Sequence, residues 1–143
     1  MTKAASAYDE AMKYLNMKMY SRGDLEERLL RKKYSETDVK EALDELARIG
    51  LIDDRKYAEI YLRNLMEYKH FGYYGIRNKL LQKKLEKALV DPLLEENLTV
   101  TAEKEIAKRF VEKPVNSKRP KKSLMQALKN KGFRIEVIFD VVS

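Results

Sequence analysis

Residues 25–43 of the chain read Leu25-Glu26-Glu27-Arg28-Leu29-Leu30-Arg31-Lys32-Lys33-Tyr34-Ser35-Glu36-Thr37-Asp38-Val39-Lys40-Glu41-Ala42-Leu43. Its apolar residues Leu25, Leu29, Tyr34, Val39 and Leu43 are spaced four, five, five and four apart. A step of four keeps side chains on one face of an α-helix, and the steps of five mark connections between helices. Adding 51 to each number gives Ile76, Leu80, Leu85, Val90 and Leu94, and adding a further 48 gives Leu124, Leu128, Phe133, Ile138 and Val142. The upstream pairs Ala7 and Ala11, Ala58 and Leu62, Ile106 and Phe110 fall in the same register, as do the cations Lys32, Lys83 and Lys131. One pattern is therefore written three times with a period of about 50 residues.

Local signals give each copy three helices. In the first, Ala7, Ala11, Tyr14 and Leu15 share a face over residues 5–18. Ser21 caps a second helix with Asp24 three residues on, and Ser35 or Thr37 caps a third that ends before Gly50. Asp53-Asp54 opens the second copy, satisfying free N–H groups and complementing the helix dipole. Phe71-Gly72-Tyr73-Tyr74-Gly75 interrupts the pattern before a helix at Ile76–Lys84, and Asp91-Pro92 predicts a late start or a bend in the next, since proline suits a first turn. The third copy begins near Thr99 or Thr101, carries a loop over Lys113–Pro120 and closes on a short helix at Ile135–Val142. The expectation is an all-α chain with three-helix repeats at 1–52, 53–98 and 99–143, stacked into an elongated, curved array because such units bury too little surface alone.

Composition agrees and narrows the function. The 143 residues are 44% hydrophobic and 37% charged, with 5 Gly and 3 Pro, too little turn chemistry for a many-stranded sandwich. There is no Cys, so neither a disulfide nor a thiolate metal site is available. Met1-Thr2-Lys3-Ala4-Ala5-Ser6 leads straight into a charged amphipathic pattern without the apolar core of a signal peptide, and no stretch approaches the ~20 apolar residues of a membrane span. The expectation is a cytoplasmic, non-membrane protein.

Phosphate-loop, dinucleotide, His-Glu-x-x-His and calcium-loop motifs are all absent, and His70 is the sole histidine. Asp53 and Asp54 read as helix caps at a repeat boundary rather than as a catalytic pair, which would need a cleft and a partner to split their pKa values. The chain is expected to be no enzyme and to need no cofactor or metal. Tyr34 and Tyr57 fall on the apolar register and are expected in the core; Tyr68, Tyr73 and Tyr74 cluster with Phe71 at the turn, packed there or facing a partner.

The net charge of +7 is concentrated at one end: residues 100–143 hold 11 Lys and Arg against 5 Asp and Glu, while the rest balances to within one charge. Candidate partner- or nucleic-acid-binding cations lie on the second helices and their flanks: Arg28, Arg31 and Lys32; Arg77, Lys79, Lys83 and Lys84; Lys118, Arg119, Lys121, Lys122, Lys129 and Lys131. For any one helix a solvated face explains them. Their recurrence in register predicts a cationic stripe facing a polyanion or an acidic surface.

Three stretches carry a family resemblance: Gly50-Leu51-Ile52-Asp53-Asp54-Arg55-Lys56-Tyr57-Ala58, Gly72-Tyr73-Tyr74-Gly75-Ile76-Arg77-Asn78-Lys79-Leu80, and Lys131-Gly132-Phe133. Together they resemble the RecX family of recombination regulators over about residues 7–142. The resemblance implies a non-enzymatic modulator in DNA repair, homologous recombination and the SOS response. Such a protein lodges as a monomer in the groove of the RecA filament on single-stranded DNA and inhibits ATP hydrolysis, filament extension, strand exchange and co-protease activity. It also marks Asp53, Asp54, Tyr57 and Ala58 as structural signature residues, with DNA contact made mainly through the filament. The glycine that follows the repeated lysine in the family stands here only as Gly132, with Lys33 and Lys84 at the other two places. Two other classes stay open: a direct DNA-binding protein whose three-helix units act as helix-turn-helix modules, and a helical-repeat adaptor for an unrelated acidic protein.

Overall fold

The computed structural model describes residues 6–143, so the expected helix start at residue 5 lies outside the described residues. All regular structure among them is helical: α1 Ala7–Met17, α2 Arg22–Arg31, α3 Glu36–Arg48, α4 Asp54–Tyr68, α5 Tyr73–Gln82, α6 Lys87–Asn97, α7 Val100–Val111, α8 Lys121–Asn130 and α9 Ile135–Val142. The chain forms two compact units. One runs to Ala58 and takes in Lys83–Leu85; the other comprises Glu59–Gln82 and Glu86–Ser143.

The caps explain where the helices begin. Ser6, Ser21, Ser35 and Thr99 each accept the backbone N–H three residues on, at 3.1–3.2 Å, replacing a bond the first turn cannot make internally. Ser35 rather than Thr37 is thus the cap of α3. Asp53 does the same for α4, accepting from Lys56 N at 3.1 Å.

Of the fifteen register positions, thirteen are buried; Tyr34 and Val142 are half-buried. In the first unit α1, α2 and α3 pack on one another around Leu25, Leu29, Val39, Leu43 and Leu46, with Ala11, Tyr20 and Ile52 in the same cluster. In the second, α5 packs on α6, and α7 and α8 pack on α9. Filling a helix seam with Leu and Ile contributes about 1.5–3 kcal/mol for each fully buried side chain.

Three expectations change. Tyr34 and Tyr57 are half-buried rather than in the core, Tyr34 against the edge of the first unit's cluster, while Ala58 has no exposed surface. The stretch expected to interrupt the pattern does not hold off the helix: α5 starts at Tyr73 and ends at Gln82 rather than spanning Ile76–Lys84. Pro92 sits in the middle of α6 and opens nothing: the helix begins at Lys87, where Leu89 and Val90 N–H donate to the Glu86 carbonyl. Proline removes one helical bond, the one that would reach Ala88, and Ala88 is exposed, where an unmade bond costs less than in the core.

Candidate partner interface

The register cations fall into two electrostatic groups. On α2 and α5 most are engaged by carboxylates. Arg28 Nε donates to Asp24 at 3.1 Å, and its guanidinium lies over the Tyr14 and Tyr20 rings at 5.7 and 5.1 Å. Asp24 holds the Arg28 pKa above its usual value. Arg31 pairs with Glu27 at 2.6 Å, and Lys84 reaches the same carboxylate at 3.3 Å. Lys84 first and Arg31 after it keep Glu27 below the ordinary carboxylate range. Lys32 pairs with Glu10 at 3.1 Å, which raises its pKa, and Arg77 pairs with Asp91 at 2.8 Å, which lowers that of Asp91.

Others are tied to aromatic rings. Lys79 Nζ lies 4.8 Å from the Phe71 ring, and Lys131 lies 5.0 Å from Phe71 and 5.6 Å from Phe110. Lys83, partly buried, offers its carbonyl to the Ser21 hydroxyl.

The segment around α8 differs. Between Glu112 and Glu136 there is no Asp or Glu, while Lys113, Lys118, Arg119, Lys121, Lys122, Lys129, Lys131 and Arg134 all lie there. Lys118, Lys121, Lys122 and Lys129 are exposed and make no ion pair among the described residues. Arg119 is a brace: it donates to Ser123 Oγ at 2.9 and 3.1 Å and to Asn116 Oδ1 at 3.1 Å. Asn116, buried, in turn donates to the Phe110 carbonyl at 2.7 Å, so the loop before α8 is pinned to α7. A pair on the surface cancels much of its own field, whereas unpaired ammonium groups present theirs to whatever approaches.

Lys113 belongs to this face, though the repeat register did not select it. It lines a cleft of about 600 Å³ with Phe71, Val115, Arg119, Asn130 and Lys131. The acid-free run from 113 to 135 was the available signal. Tyr68 and Tyr74 are exposed; Tyr73 is half-buried under the Arg134 guanidinium at 4.4 Å.

The signature residues act in the framework. The Asp54 carboxylate accepts the Arg22 N–H at 2.8 Å, closing the start of α2, and Asp53 caps its own helix. In the second unit the fully buried Glu103 plays the corresponding part. It accepts Tyr73 N–H and Arg134 N–H, each at 2.9 Å, and the Arg134 Nε at 2.5 Å. Nothing in the sequence pattern singles out Glu103. Among the described residues no group of three His, Asp or Glu is placed to hold a metal ion, and no helix is long and apolar enough to cross a membrane.

Fold and face together define an all-helical protein of three-helix units with one strongly cationic, uncompensated surface. Comparison gives that class a family. The model described as RecX, first three-helix domain, matches residues 7–46. Regulatory protein RecX of Chlorobaculum tepidum is 30% identical over 145 residues, covering 98% of this chain and 88% of that protein. Regulatory protein RecX of Chlorobium phaeobacteroides is 33% identical over 93 residues, covering 65% of this chain and 62% of its relative. The crystal structure of RecX from Lactobacillus salivarius superposes with a TM-score of 0.85 at 25% identity, over 95% of this chain and 92% of the other. The chain belongs to the RecX family of regulatory proteins.

Proposed function

We propose that this protein binds the RecA filament on single-stranded DNA and inhibits its ATPase, its extension, strand exchange and co-protease activity, without chemistry of its own. The family supports the target. The observation that carries the reading is the acid-free surface around α8, with Lys118, Lys121, Lys122 and Lys129 exposed and unpaired. A nucleoprotein filament offers both phosphates and carboxylates, and such a surface is attracted to either at moderate salt.

The units proposed to do this are three tandem repeats, 1–52, 53–98 and 99–143, acting as a monomer in the cytoplasm. Contact with more than one RecA protomer at once holds them in one arrangement and opposes the rearrangement that hydrolysis requires. Lys118, Lys121, Lys122 and Lys129 are assigned the electrostatic contact, with Lys131 and Arg119 shaping the surface. Arg28, Arg31, Lys32, Arg77, Lys79 and Lys84 are assigned a lesser share, because their charge is already largely engaged within the chain, and Lys83, which is half-buried, is grouped with them.

The second reading, direct DNA binding, draws on the same surface. Titrating bare single- and double-stranded DNA at rising salt, with and without RecA, separates the two. Binding that depends on RecA at physiological salt supports filament regulation; tight, sequence-dependent binding without it supports the alternative. Reversing Lys121, Lys122 and Lys129 together is expected to weaken filament inhibition, and unchanged inhibition contradicts the assignment.

A further inference from the structure

We propose that the solvent face of α8, with the loop before it, docks an acidic helical segment of a protein partner. The inference rests on filament regulation and names what the partner presents at this face.

Charge comes first. Lys121 and Lys122 occupy the first turn of α8, where the positive end of the helix dipole makes cations unfavourable and an incoming anion favourable. No acidic residue lies between Glu112 and Glu136, so the segment holds nothing of its own to offset them. Shape comes second. On this face an open groove of about 560 Å³ is lined by Arg119, Pro120, Lys122, Ser123, Gln126 and Asn130, room for side chains arriving from a helix turn.

The third observation selects the occupant. The two helices in register with α8 each receive a carboxylate from the first turn of a later helix. Arg22 N–H at the start of α2 donates to Asp54 of α4 at 2.8 Å, and Tyr73 N–H at the start of α5 donates to Glu103 of α7 at 2.9 Å. At α8 the cap is Pro120, which makes no side-chain hydrogen bond, and no carboxylate reaches Lys121 N–H among the described residues. An acidic helix turn from a partner completes at α8 the contact that the chain completes for itself at α2 and α5. Single-stranded nucleic acid fits less well, since such sites stack bases on aromatic rings and no aromatic side chain lines this groove.

The experiment uses the full chain co-sedimented with RecA filaments on single-stranded DNA, then treated with a carbodiimide. That reagent joins a lysine amine to a carboxylate in direct contact as an amide, with nothing inserted between them. Mass spectrometry is expected to find links from Lys121, Lys122 or Lys129 to Asp or Glu of the filament protein. The variant Lys121→Arg, Lys122→Arg, Lys129→Arg is expected to co-sediment normally and lose those links. Lys121→Glu, Lys122→Glu, Lys129→Glu is expected to weaken co-sedimentation by on the order of tenfold or more. Co-sedimentation with links only at other lysines, or photocrosslinks from these lysines to the DNA in their place, overturns the inference and leaves filament regulation standing. Failure of the unmodified chain to co-sediment at all overturns both.

Discussion

Glu103, without exposed surface, holds Arg134 by both its backbone N–H and its guanidinium Nε, at 2.9 and 2.5 Å. The same carboxylate takes the Tyr73 N–H, so one side chain on α7 closes the starts of α5 and α9. Breaking a buried charge pair on one side leaves the other charge uncompensated, at a cost of about 3–5 kcal/mol. Glu103→Gln is therefore expected to lower the unfolding free energy by about 3 kcal/mol in a urea titration. A loss below about 1 kcal/mol would show that water replaces the carboxylate at little cost.

Ser21 makes a different kind of joint. Its hydroxyl is buried, accepts the Asp24 N–H at 3.2 Å and donates to the Lys83 carbonyl. Ser35 caps α3 in the same way but is exposed and has no such second partner among the described residues. Ser21→Ala is expected to destabilise by about 2 kcal/mol, more than Ser35→Ala at about 1 kcal/mol or less. Equal losses in thermal unfolding would remove Lys83 from the account.

Lys33, Lys84 and Gly132 are register equivalents, and all three have left-handed backbone, with φ of 73°, 63° and 83°. A side chain there costs about 1–2 kcal/mol, against about 0.5–1 kcal/mol of unfolded-state entropy for glycine. Lys33→Gly is thus expected to stabilise by about 0.5–1 kcal/mol. Gly132→Lys is expected to destabilise by more than that, because a Cβ there would overlap the Gly75 backbone nitrogen and lie 2.7 Å from its Cα. At the Lys84 joint the missing side chain belongs to the partner: a Cβ on Gly23 would lie 2.5 Å from the Lys84 Cβ. Chemical denaturation of the two variants checks both signs.

The helical register was legible because spacing alone decides which side of a helix an apolar residue takes. Leu25, Leu29, Ile76, Leu80 and Leu128, all without exposed surface, needed no further information. Pairs four apart, such as Asp24 with Arg28 and Glu27 with Arg31, were within reach of the same reasoning. Contacts that depend on tertiary placement were not. Glu10 with Lys32, Glu27 with Lys84 and Glu103 with Arg134 join residues far apart in sequence, and without them the engagement of Lys32, Lys84 and Arg134 stays hidden. The left-handed positions at Lys33 and Lys84 were hidden for another reason: the usual glycine is missing, and the geometry is kept by the fold around it.

His70 supplies a pH test. Burial lowers its pKa below the ordinary 6.5, and Lys113, Arg109 and Lys131 push in the same direction. The unfolded chain therefore binds a proton more readily than the folded one, so stability falls as pH drops through 6.5 towards the folded value. Between about pH 7.5 and about pH 5.5 the wild-type urea midpoint is expected to fall further than that of His70→Gln. Parallel declines would mean that the histidine does not report on this cluster.

The central claim is that this chain restrains RecA through an uncompensated cationic face. The steady-state ATPase of RecA on single-stranded DNA, followed as the full chain is titrated in, tests it most directly. The account predicts progressive suppression that saturates with filament binding. A hydrolysis rate that stays constant while sedimentation shows the filament fully occupied would contradict it.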